Sequence, residues 1–335
     1  MLSFLPPAGG TLATAAWFLL TLQLFYFSLT LCSVPYEVLL PELAGTGRER
    51  VSISSLRVAV GVTGAALGLA GSGVLIHFLV FGGIAAALAL LALATRYAGL
   101  AGAWRRSAAI QPEPGPSLGA ALRAALTNRD YLILMPSWIL FQLALGMLIG
   151  LLPYHANAVL NKDDEELWSA LLTAVAIGIM ALTLPLFVWL SRRSSPGQAY
   201  ARAMLAAALL FPLLALPGLL PGLPVTATAL VALALAGVPV AAVYLFPGPL
   251  IADIADVDRG RTGAREATFY GGQTAVDKTV GPLAPLLLGL ILLLGNTASD
   301  PLGVRLVAPA ASLLVLVAYF IFRRFDLPAR ESAPA

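Results

Sequence analysis

The chain has 335 residues, 59% of them hydrophobic and only 11% charged, with a formal charge of +3 and a mean hydropathy of +0.88. A soluble domain carries about 25% charged residues, so this chain cannot cover itself with a polar surface and a water-soluble globular class is excluded. The charges fall in clusters between apolar runs of about 20 residues or more, the length that crosses about 30 Å of hydrocarbon as a helix. Without period-2 alternation these runs also exclude a β-barrel. The expectation is an all-α polytopic membrane protein.

Nine candidate spans follow in chain order: 12–43, 52–76, 79–102, 131–160, 167–191, 199–221, 225–253, 267–295 and 303–325. No basic segment precedes the first, since the first arginine is Arg48, so no signal peptide is expected. The single cysteine, Cys32, lies within that first span and suggests neither a disulfide nor a metal cluster. Proline interrupts several spans, at Pro136, Pro185, Pro212, Pro239, Pro247, Pro249 and Pro282. Such breaks are tolerated in a bundle, where neighbouring helices re-satisfy the freed backbone groups.

Lys and Arg set the expected orientation. Of the 20 basic residues, 17 are in alternate connections and the tail, among them Arg48, Arg50, Arg57, Arg105, Arg106, Arg192, Arg193, Arg261, Arg265, Arg323 and Arg324. The opposite connections hold only Lys162 and Arg305, and Lys162 is outnumbered by Asp163, Asp164, Glu165 and Glu166. The basic side is read as cytoplasmic, which places the N-terminus outside and the C-terminus inside a cytoplasmic (inner) membrane. The longest polar connection contains Gln111-Pro-Glu-Pro-Gly-Pro116, and 117–128 after it has the composition of a surface helix. The expected organisation is 1–103 as part of an N-terminal bundle, 104–130 as a cytoplasmic connection, and 131–335 as a six-helix bundle with a short tail.

An internal repeat supports that division. The first span ends Val34-Pro-Tyr-Glu-Val-Leu-Leu-Pro-Glu-Leu43 and the seventh ends Phe246-Pro-Gly-Pro-Leu-Ile-Ala-Asp-Ile254. Each has proline before its cytoplasmic end, a carboxylate at the membrane edge (Glu42, Asp253), and a Thr-Gly turn leading through charged residues into another span. Two parallel six-helix halves related in this way are the arrangement of major facilitator transporters. In that frame the seventh span is helix 10 of twelve and the first is helix 4. The chain is then expected to be truncated, holding helices 4–12 without helices 1–3; a genuine nine-helix protein is the alternative.

Lys278 is the sharpest chemical signal. It lies inside the eighth span, where a charge costs at least about 2.5 kcal/mol, and with Gln273, Thr274 and Gly281 it forms one polar helical stripe. The stripe reads either as a solute or coupling site or as an ion pair that locks helices. Asp277 points about 100° away from Lys278 on a helix and is no obvious partner for it. Ser33, Tyr36 and Glu37 cluster near the inner end of the first span, where Glu37 reads as a proton-coupling carboxylate or as a solvated headgroup-level acid. Gln142 is a polar residue that either lines a cavity or bonds a neighbouring helix. Glu42, Arg48, Arg50, Arg57, Asp253, Asp256 and Arg265 read as a cytoplasmic gate, with ion pairs that break and re-form. Trp17, Trp138, Trp168 and Trp189 read as interface anchors, and His77 and His155 as interfacial. No phosphate loop, zinc motif, nucleophile elbow or nucleic-acid surface is present, so neither an enzyme nor a cofactor is expected beyond Na⁺ or H⁺ as coupling ion.

The run Val34–Leu43 with Arg48, Arg50 and Arg57 resembles the helix 4 signature of the glycoside–pentoside–hexuronide:cation symporters, the melibiose permease-like branch of the major facilitator superfamily. Leu122-Arg-Ala-Ala-Leu-Thr-Asn-Arg-Asp-Tyr131 resembles their lead into helix 7. Ile251-Ala-Asp-Ile-Ala-Asp-Val-Asp258, through Thr262-Gly-Ala-Arg-Glu266 to Lys278, is similar to their helix 10–11 loop and helix 11 lysine. The resemblance implies alternating-access symport of a sugar or glycoside with Na⁺ or H⁺. Relatives with the same core that carry lysophospholipids supply the alternative reading of an amphiphile transporter, and a non-transporting membrane protein is a third. Where those symporters have a sugar-contacting aspartate this chain has Ser33, and where they have an aromatic it has Glu37. The partners implied are the lipid bilayer, a small solute and, through exposed faces of helices 4–6, a second copy of the chain.

Overall fold

In lipid, a chain of long apolar runs must satisfy its backbone internally, and helices do so within each run. The computed structural model describes residues 10–43, 46–74, 118–162, 164–262 and 266–325, with a few positions between 87 and 94, and among them it contains no strand. In chain order the helices are α1 (Thr11–Leu43), α2 (Gly47–Val74), α3 (Leu118–Thr127), α4 (Arg129–Ala158), α5 (Glu165–Arg193), α6 (Pro196–Leu210), α7 (Val225–Gly237), α8 (Val240–Leu245), α9 (Pro247–Thr262), α10 (Glu266–Val280), α11 (Leu283–Leu292) and α12 (Leu302–Phe322).

Six stretches of the described residues are long and apolar enough to cross a membrane: Arg129–Ala158, Leu167–Arg193, Pro196–Ala215, Val225–Asp258, Thr268–Leu292 and Leu302–Phe322. They coincide with the last six expected spans. The expected span 12–43 is helical as well, as is 52–74 of the expected 52–76, while 79–102 falls almost wholly outside the described residues. Helix α2 starts before residue 52 because a capping box precedes it. The Glu49 amide donates to Thr46 Oγ1 at 3.3 Å and the Thr46 amide to Glu49 Oε2 at 3.2 Å. The expected span 199–221 ends early, at Ala215, because Gly218 (φ +78°) and Gly222 (φ +82°) turn the chain in left-handed conformations that no helix continues.

Two of the crossings are broken. Pro239 and Pro247 divide one into α7, α8 and α9, and Gly281-Pro282 divides another into α10 and α11. Proline has no N–H, so Pro282 leaves the Lys278 carbonyl without its helical donor. The Gly281 amide still donates to Asp277 O at 2.8 Å before the break.

The chain groups into two units, residues 1–36 with 65–115, and residues 37–64 with 116–335. In the second unit α12 packs along α4 and α6, α11 along α4, and α5 along α7 and α8. Within a largely aliphatic core, Tyr200 is in contact with Phe141, Phe246 and Phe322 at ring separations of 6.1, 6.1 and 5.2 Å. The α4–α11 contact is set by small residues. A Cβ on Gly146 would lie 2.7 Å from Ala284 Cβ, and one on Gly150 would lie 2.7 Å from Leu288 Cδ2. This Gly146-x-x-x-Gly150 pair lets the backbones approach as small-residue motifs do between membrane helices. His155 is buried in the protein rather than interfacial, at 5% exposure.

Candidate solute cavity and charge cluster

A cavity of about 220 Å³ opens in the second unit where the broken crossings meet α4. Its polar wall consists of Trp138 and Gln142 from α4, Tyr244 from α8 and Asp277 from α10. Ile139, Leu143, Ile149 and Val280 make the rest largely apolar, and Gly146, Gly281 and Ala284 provide room. Discontinuous helices are where transporters of several folds place their solute sites, because a break exposes backbone groups and widens the bundle. A predominantly apolar cavity with a few convergent polar groups is also the usual form of a small-molecule site.

Gln142 is therefore a cavity residue. Lys278 is exposed and stands one helical step beyond the wall, where Asp277 takes the place on the cavity. Gln273 and Thr274 are partly buried but off this wall, and the Thr274 hydroxyl donates to Tyr270 O at 3.0 Å. The side chains of Ser33, Tyr36, Glu37 and Glu42 lie outside the described residues, as does Arg265. Trp138 does not anchor an interface; it is 5% exposed and faces the cavity. Trp168 and Trp189 do lie under cations, Lys162 at 4.5 Å and Arg193 at 4.2 Å.

At one end of the same unit three of the expected gate residues meet. Arg50 on the first turns of α2 spans two carboxylates on α9, with Nη1 donating to Asp253 Oδ1 at 2.7 Å and Nη2 to Asp256 Oδ2 at 2.5 Å. The Arg50 side chain is only 4% exposed, against 29% and 18% for the two acids. Burial works against the Arg50 charge, but Asp256 and Asp253 more than offset it and raise the guanidinium above its ordinary pKa. Asp253 and Asp256 are three residues apart and share a helix face, a spacing that the fork of a guanidinium spans. Next to them the Ser54 hydroxyl donates to Leu245 O at 2.8 Å, fastening α2 to the end of α8. Asn128 caps α4 through its carbonyl oxygen and donates its amide to Asp258 at 3.2 Å. Arg48 and Arg57 are exposed on α2.

The family model described as MFS/sugar transport protein matches residues 1–328. The chain belongs to this family. No curated protein sequence matches it. Membership makes the chain a multi-pass major facilitator protein of the sugar-transport type, embedded in a bilayer and acting on a small solute. In this MFS transporter the sequence reading left out the cavity residues Tyr244 and Gly146, took Trp138 for an anchor, and weighed Asp277 only as a partner for Lys278. For Asp277 the missed signal was a second intramembrane charge next to Lys278; for Gly146 it was the Gly-x-x-x-Gly spacing.

Proposed function

We propose that the protein is a cation-coupled symporter of a sugar or glycoside that works by alternating access in a cytoplasmic membrane, with its C-terminus inside. The observation that carries this reading is the match to the sugar-transport family along 1–328. The cavity at the helix breaks supports it, because Gln142 and Tyr244 offer hydrogen-bonding groups to hydroxyls while Trp138 offers a flat apolar face to a sugar ring. Lys278 and the Ser33, Tyr36, Glu37 group complete the proposed solute and coupling residues. Arg50 with Asp253 and Asp256 is the proposed cytoplasmic latch, which must open when the cytoplasmic side opens; Glu42, Arg48, Arg57 and Arg265 flank it in sequence. A second reading, transport of an amphiphile, draws on the apolar share of the cavity wall.

The test is accumulation in proteoliposomes. A panel of radiolabelled mono- and disaccharides is offered under an imposed inward gradient of Na⁺ or of protons. We expect at least one sugar to concentrate inside, and a protonophore or sodium ionophore to abolish the accumulation. Accumulation of a lysophospholipid with no response to any sugar would transfer the assignment to the amphiphile reading.

A further inference from the structure

We propose that the end of the second unit where α5 stops, α6 starts and α12 stops binds an anionic phospholipid, with Arg193, Arg202 and Arg324 holding its phosphate. Five arginines are exposed there: Arg192 and Arg193 on the last turn of α5, Arg202 on α6, and Arg323 and Arg324 just after α12. The three helix ends lie together. Only Ser194 and Ser195 separate α5 from α6, and α6 packs against both α5 and α12. A Cβ on Gly197 of α6 would lie 3.5 Å from the Phe325 ring, which in turn stacks on Phe322 at 4.8 Å.

Each of these helices carries an exposed apolar stripe that finishes in an arginine at this end. On α5, Leu182, Leu186 and Trp189 lead to Arg193; on α12, Leu313, Val317 and Phe320 lead to Arg324. On α6, Leu209 and Leu205 lead back to Arg202. Steps of three and four residues keep each set on one helix face. Arg202 is the most telling of the three. It stands about 9 Å along the crossing Pro196–Ala215 from its first residue, on an exposed face where a bare charge in lipid is costly. Its aliphatic stem can follow α6 to the headgroup layer, where the counter-charge on offer is a lipid phosphate.

The three helices supply no acid at this end. Neither α6 nor α12 contains Asp or Glu, and α5 has them only at its opposite end, Glu165 and Glu166. None of the five arginines forms a salt bridge among the described residues; Asp326, which follows Phe325, lies outside them. The Arg193 guanidinium lies over Trp189 at 4.2 Å, and that of Arg323 over Phe320 at 6.0 Å. A guanidinium stacked on a ring keeps its in-plane N–H donors for phosphate oxygens, which it grips in pairs. The apolar stripes select a lipid over a free anion, because they give acyl chains a surface directly beneath the charges. The cluster also selects a headgroup with net negative charge, since a zwitterionic one would bring its own cation against five others.

Native mass spectrometry of the purified full chain in detergent, titrated with phosphatidylglycerol or phosphatidylcholine, tests this without reference to transport. Phosphatidylglycerol is expected to be retained at concentrations about tenfold lower or less, since each arginine near an anionic lipid contributes about fivefold. Arg193→Gln with Arg202→Gln is expected to remove most of that preference. Arg123→Gln with Arg129→Gln takes the same charge from exposed positions on α3 and α4 and is expected to leave it intact. Arg193→Lys with Arg202→Lys is expected to keep part of it, which separates loss of charge from loss of fold. Equal retention of the two lipids by the wild type, or equal losses in the two glutamine pairs, would overturn the proposal. Displacement of the lipid by millimolar inorganic phosphate would make this a free-anion site and overturn the lipid assignment.

Discussion

Replacing Arg50 with alanine is expected to be among the most damaging single changes in the chain. The guanidinium is 4% exposed and satisfies two carboxylates at once, so its removal takes a charge-assisted hydrogen bond from both Asp253 and Asp256. Breaking a buried ion pair by deleting one partner costs about 3–5 kcal/mol. Because the two acids keep partial contact with solvent, the lower end applies here, about 3 kcal/mol, read as a lowered unfolding temperature in detergent. Arg50→Lys restores a charge but not the two-pronged fork, and it is expected to recover only part of the loss. The combination Arg50→Ala with Asp253→Asn and Asp256→Asn is expected to be more stable than Arg50→Ala alone, since it removes the repulsion between two carboxylates on one helix face. A triple variant no better than the single one would show that Arg50 acts through packing alone.

The second large effect belongs to the α4–α11 contact beside the cavity. Carbon atoms prefer separations of about 3.5–4.0 Å, and a Cβ on Gly146 would stand 2.7 Å from Ala284 Cβ. Gly146→Ala therefore forces two helix backbones apart, at about 1–3 kcal/mol, and the shift falls on two residues of the cavity wall. We expect sugar uptake to drop at least tenfold and Ala284→Gly, added to Gly146→Ala, to restore most of it. Gly150→Ala is expected to be milder, because the atom it meets is the end of the flexible Leu288 side chain. Equal losses at Gly146 and Gly150, with no rescue by Ala284→Gly, would contradict the close-approach account.

The crossings were legible in the sequence because lipid leaves one solution for an apolar run of that length. Charge at the span ends grouped Arg50, Asp253 and Asp256 with four other expected gate residues, but the pairing of Arg50 with the two acids came only from the fold. What could not be read was which side of each crossing faces the interior. A helix that is apolar all round has no stripe to betray its inner face. Trp138, flanked by apolar residues on α4, thus looked like an anchor, although the fold turns it onto the cavity. Lys278 drew attention by its cost in lipid, but the rotation of α10 puts its neighbour Asp277 on the wall. Prolines were visible as interruptions, yet only the fold brings Tyr244, between Pro239 and Pro247, and Gly281, before Pro282, onto one cavity wall. Gln142 was open between a cavity and a bond to a neighbouring helix, and the fold places it on the cavity wall.

The central claim, that this chain moves sugars through a bilayer, is tested most directly by counterflow. The purified protein is reconstituted into liposomes loaded with a high concentration of an unlabelled sugar, and entry of the same sugar in labelled form is followed without any imposed ion gradient. The account predicts a transient overshoot of labelled sugar for at least one member of the panel, weakened by Gly146→Ala. Flat traces for every sugar, from protein that remains folded in the liposomes, would contradict it.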